Sequence, residues 1–67
     1  MGKQLIVDGQ LGDRAMVEVG RGSLYIGGKN ADGEFTTAAM LSPEQARRYA
    51  DCIREAADEC ERASAPV

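Results

Sequence analysis

All eight glycines lie within the first 33 residues, and the stretch from Ser42 to Ala63 contains none. Glycine takes the positive φ that tight turns demand, and inside a helix it costs about 1 kcal/mol relative to alanine. A chain punctuated on one side only is therefore expected to be sheet first and helix second. Asp8-Gly9, Gly20-Arg21-Gly22 and Asn30-Ala31-Asp32-Gly33 carry hairpin-turn chemistry. They delimit strands near residues 3–7, 14–19, 23–27 and 34–40 in an antiparallel meander. Residues 10–13, with Gly12-Asp13, extend the first hairpin or form a bulged connection.

The helix has a well-formed start. Ser42 and Gln45 have capping-box spacing, Pro43 brings the φ that suits a first helical position, and Glu44 faces the positive end of the dipole. Ala46, Tyr49, Ala50, Ile53, Ala57 and Cys60 recur at spacings of three, four and seven, which places them on one stripe expected to face the sheet. Charged residues cover the rest as a solvated face, with Glu44-Arg48 and Asp58-Arg62 spaced for i,i+4 pairing. The expected fold class is α+β: a three- or four-stranded antiparallel β meander followed by one C-terminal helix packed on one face. One domain spans 1–67, with the meander over 1–41, the helix over 42–63 and a frayed tail over 64–67. Once the ten alanines are set aside few bulky apolar residues remain, so part of the stability is expected to come from a partner or a second copy.

Period-two alternation separates two sets of strand residues. With Leu5, Val7, Val17, Val19, Leu24, Ile26, Phe35 and Leu41 turned toward the helix, Ile6, Met16, Tyr25, Thr36, Ala38 and Met40 fall on the opposite face. One helix cannot cover both. A solvated outer face is ordinarily Thr, Lys, Glu and Ser, whereas exposed apolar patches mark interaction sites and methionine suits surfaces that adapt to a partner. Ile6, Met16, Tyr25 and Met40 are therefore the candidate partner-binding residues, for a target protein or for a twin in a homodimer.

Enzyme chemistry finds little to work with, and the chain is expected not to be an enzyme. It has no histidine, so neither a Ser-His nor a Cys-His couple can form. Cys52 and Cys60 lie eight residues apart, about 12 Å along a helix, beyond the ~7 Å that a disulfide spans between Cα atoms. Two cysteines without histidine also fall short of a zinc site. Cys60 is expected in the core and Cys52 as a partly exposed thiol. Residues 23–30 run toward Gly28-Lys29 but lack the first glycine, the Ser/Thr and the following helix of a phosphate-binding loop. Asn30, Asp32 and Gly33 mimic part of a calcium loop, yet Gly28 and Ala39 stand where its first acidic ligand and bidentate Glu belong. No catalytic residue, metal, cofactor or small-molecule substrate is expected.

Charge narrows the partners. The net charge is −3, with −1 before Ser42 and −2 from it onward, so neither half offers the basic face that phosphate contacts require. Direct nucleic-acid binding is not expected. The longest apolar run near the N-terminus, Leu5-Ile6-Val7, is too short for a signal-peptide core, Ile6 breaks the myristoylation motif, and no segment nears the ~20 apolar residues of a membrane span. A cytoplasmic protein that docks on other proteins is expected.

Leu41-Ser42-Pro43-Glu44-Gln45-Ala46-Arg47-Arg48 resembles the helix starts of many short proteins from high-GC bacteria and their phages, where they often follow glycine-punctuated strands. In size, acidity and sheet-plus-helix plan the chain is also similar to phage-encoded inhibitors of bacterial defence systems, anti-CRISPR proteins among them. That resemblance implies a phage or mobile-element inhibitor docking on a host defence or nucleic-acid-handling complex. Those inhibitors share no common motif, so it assigns a role to no residue. The alternative is a small homodimeric structural protein whose open sheet faces pack together.

Overall fold

In the computed structural model, which describes residues 2–64, four strands precede one helix: β1 (Gln4–Asp8), β2 (Arg14–Val19), β3 (Leu24–Lys29), β4 (Phe35–Leu41) and α1 (Pro43–Ser64). Ser64, expected to begin the tail, is the last residue of α1, and the rest of that tail lies outside the described residues. The strands hydrogen-bond in chain order as an antiparallel meander, the α+β plan that the glycine distribution implies.

Each hairpin closes at the glycines that the sequence places there. Gly9 N–H donates to the Asp13 carbonyl at 2.8 Å, and Gly20 N–H to the Ser23 carbonyl at 2.9 Å. Between β3 and β4 the Asn30 side-chain oxygen accepts from the amides of Asp32 and Glu34, and Gly33 takes the left-handed conformation at φ 89°. An Asx side chain imitating a backbone turn in this way is why Asn-x-Asp-Gly serves as a connection.

The β1–β2 and β2–β3 ladders run in even register, with Ile6 opposite Met16, Val17 opposite Ile26 and Glu18 opposite Tyr25. Between β3 and β4 the register slips at Ile26/Gly27, so Ile26 pairs with Ala39 while Gly27 pairs with Thr37. Ala38 is the extra residue of this bulge. A side-chain Cβ on Gly27 would stand 2.3 Å from the Thr36 carbonyl oxygen, so the bulged strand approaches a position only glycine leaves open.

α1 begins as expected: the Ser42 hydroxyl accepts from Gln45 N–H at 3.2 Å and the Gln45 side chain accepts from Ser42 N–H at 3.0 Å. Its course differs from the expectation. The helix meets the sheet at β4, with Gln45 and Tyr49 beside Ile26 and Leu41, and then runs on beyond it. Ala46 and Ala50 are half-buried, but Ile53 is 52% exposed and Tyr49, Ala57 and Cys60 are exposed as well, so the stripe is not covered and Cys60 is not a core residue. The reason is the connection. Ser42 alone separates β4 from α1, and it is held in the capping box with the fixed φ of Pro43 behind it, so no slack remains to turn the helix back across the strands. Of the charged residues, Asp51 and Arg54 pair at i,i+3, and among the described residues Glu44-Arg48 and Asp58-Arg62 do not close.

The result is a single layer. The molecule measures 48 × 31 × 16 Å with a radius of gyration of 13.9 Å, against about 10.9 Å for a compact chain of this length. No described residue is buried.

Candidate protein-binding surface

Alternation along paired strands gives the sheet two unlike faces. The first carries Leu5, Val7, Ala15, Val17, Val19, Leu24, Ile26, Ala39 and Leu41, by the registers of all three ladders, with no charged side chain within the strands and Lys3 at its margin opposite Val19. The second is laid out in three cross-strand rows. Gln4, Glu18, Tyr25 and Met40 form one, Ile6, Met16, Gly27 and Thr37 the next, and Asp8, Arg14, Lys29 and Phe35 the third.

The four candidate residues thus share one face. Ile6 sits opposite Met16 and Tyr25 opposite Met40, as nearest cross-strand neighbours. Tyr25 is 42% and Met40 62% exposed, while Met16 is half-buried among its neighbours. Leu5, Val7, Val17, Val19, Leu24, Ile26 and Leu41 share the opposite face, as the alternation requires.

Three placements are corrected by the bulge: Ala38, expected on the methionine and tyrosine face, is the bulged residue itself and lies beside Ile26 and Leu41. Phe35, expected with the leucines and valines, pairs with Lys29 and belongs to the methionine and tyrosine face, while Thr36, expected there, pairs with Gly28 on the other. One extra residue inverts the parity of every position before it in β4. Lys29 Nζ lies 4.9 Å from the centre of the Phe35 ring, which fixes both on one side. Phe35 is therefore a surface residue that alternation alone missed. The signal that could have found it is Gly27-Gly28, since tandem glycine inside a strand marks a bulge or a close backbone approach.

Because Gly27 has no side chain, the centre of the second face sinks into a shallow depression walled by Met16, Tyr25, Phe35 and Thr37. At about 110 Å³ it is smaller than the ~300–1,000 Å³ clefts that take small molecules. Polar groups surround it: the Gln4 amide donates to Glu18 at 3.1 Å, and Arg14 pairs with Asp8 at 3.1 Å on the edge of the face. Both pairs are solvent-exposed, so they orient the rim while contributing little to stability.

Elsewhere the chemistry is sparse. Cys52 and Cys60 are free, exposed thiols on α1. Among the described residues no group of three or more His, Cys, Asp or Glu side chains gathers to hold a metal ion, and no helix is long and apolar enough to cross a membrane. Comparison with protein-family models, with curated proteins and with solved structures finds no match.

Proposed function

We propose that this protein is a non-enzymatic protein-binding module whose target-contact surface is the sheet face bearing Ile6, Met16, Tyr25, Phe35 and Met40. The observation that carries the reading is the make-up of that face. Apolar anchors, all exposed but the half-buried Met16, stand around a glycine-floored depression, interleaved with Gln4, Glu18, Arg14 and Lys29. An apolar centre with a polar rim is the anatomy of a non-obligate interface, in which aromatic, methionine and arginine side chains are enriched. The narrower form of the proposal, an inhibitor from a phage or mobile element acting on a host defence or nucleic-acid-handling complex, draws its support from size, acidity and the sheet-plus-helix plan. It predicts that expressing the chain raises phage plating on an immune host.

The test uses tagged chains carrying Tyr25→Asp or Met16→Asp, with Glu55→Lys on the polar side of α1 as control and a thermal melt to establish folding. A desolvated anchor carries about 2 kcal/mol or more, so each face variant should weaken target binding by about thirtyfold or more. The control should bind as the wild type does. A target that remains bound to folded Tyr25→Asp and Met16→Asp, or is lost only with Glu55→Lys, overturns the assignment and moves the contact to the acidic helix.

A further inference from the structure

Much of the leucine and valine face is open in the single chain: Val19 is exposed, and Val17, Leu24, Ile26 and Leu41 are only half-buried. Leu5 is 51% and Val7 69% exposed, on a surface to which the strands contribute no charged group and at whose margin Lys3 stands opposite Val19. The chain exposes 5792 Å², whereas a folded monomer of 7.1 kDa exposes about 4,100 Å². About 1,700 Å² per chain is thus open in excess, and two chains closing it together would remove about 3,400 Å², within the ~2,000–5,000 Å² of obligate homodimers. The apolar character of the surface is also that of a domain core cut in half rather than of a transient contact.

We infer that the protein is a reciprocal homodimer in which the apolar stripe of α1 from each copy lies across the leucine and valine face of the other copy's sheet. Both halves of a helix-on-sheet interface are present in one chain, and beyond the contact of Gln45 and Tyr49 with Ile26 and Leu41 the one-residue link at Ser42 carries them apart. At about 33 Å from its 22 residues, α1 is long enough to cross a four-stranded sheet whose outer strands stand about 14 Å apart. Ala46, Ala50 and Ala57 let the helix approach closely, while Tyr49 and Ile53 supply the bulk. An open apolar notch between Ile26, Leu41 and Tyr49 continues the sheet face onto the base of α1, so the surface offered to the twin is unbroken. Each copy gives a helix and receives one, which makes the contact isologous and closed at two chains. The arrangement does not depend on the target-binding proposal. It leaves the methionine and tyrosine face of both copies outward, so a target meets a bivalent molecule.

Sedimentation equilibrium on the full chain should give about 14 kDa, twice the 7.1 kDa chain, and a mass of 7.1 kDa at all concentrations with an intact melt overturns the inference. Val17→Asp on the sheet and Ile53→Asp on the helix should each weaken the dimer by about thirtyfold or more. Because either variant can also unfold the chain, a linkage test is run beside them. In a Cys52→Ser, Cys60→Ser background, a chain with Val17→Cys is mixed with a differently tagged chain carrying Ile53→Cys and treated with a short bismaleimide. A product carrying both tags is expected. A chain bearing both new cysteines that links only to itself shows the helix folded back in cis and overturns the inference. So does a dimer that survives Val17→Asp but is lost with Met16→Asp, which would join the copies through the opposite face and displace the target-binding proposal as well. A folded monomer that still loses its target with Tyr25→Asp refutes the dimer alone.

Discussion

Replacing Gly27 with alanine tests the register that assigns residues to the two faces. A Cβ at this position would lie 2.3 Å from the Thr36 carbonyl oxygen and 3.2 Å from the Thr37 Cα, and both atoms belong to backbone. No side-chain rotation relieves such a contact, so β3 and β4 must part at the bulge. Overpacking of this kind costs about 1–3 kcal/mol. For a domain of this size each kcal/mol lowers Tm by about 4–8 °C. Gly22→Ala makes the control, because a Cβ there meets nothing within 4 Å and its cost comes from φ 72° alone, about 1 kcal/mol. Asparagine at Gly22, which tolerates the left-handed region, should recover part of that loss, whereas no residue other than glycine should be tolerated at Gly27. The assay is a thermal melt followed by circular dichroism at one fixed chain concentration, since association makes Tm concentration-dependent. A Gly27→Ala chain that melts with the wild type, or above Gly22→Ala, refutes the close approach, and the placement of Phe35 falls with it.

Ser42→Ala removes the hydroxyl that accepts from Gln45 N–H and should destabilise the chain by about 0.5–2 kcal/mol, with Ser42→Asp close to wild type; helical ellipticity through the melt reads both. Lys29→Ala loses the cation over the Phe35 ring and should cost about 0.5–1 kcal/mol in a denaturant titration. Arg54→Ala opens the exposed pair with Asp51 and should change stability by no more than about 1 kcal/mol; a larger loss would mean that this side of α1 is packed.

The features legible in the amino-acid order are local ones. The turns at Gly9, Gly20 and Gly33 and the Ser42–Gln45 capping box are settled by residues within four or five positions of one another, and their chemistry is the same whatever surrounds them. The face shared by Ile6, Met16, Tyr25 and Met40 was legible for a related reason: period two holds along a regular strand, and β1, β2 and the start of β3 are regular. Where pairing is irregular the same rule misplaced residues. Phe35 and Thr36 change sides because Gly27 yields to the backbone of β4, an event between two strands that alternation within either one does not record.

The course of α1 was decided at the tertiary level alone. A stripe from Ala46 to Cys60 establishes that the helix has an apolar side to cover, since a periodic pattern encodes a need for burial without naming the surface that meets it. The expectation that its own sheet would meet it treated the link as free. A single residue, Ser42, locked by two hydrogen bonds and followed by proline, instead sends the helix past β4 and leaves Ile53 and the leucine and valine face both in the open. Direction at such a joint depends on the backbone angles of a few residues acting over the whole length of the helix, and hydrophobic patterning carries no record of them.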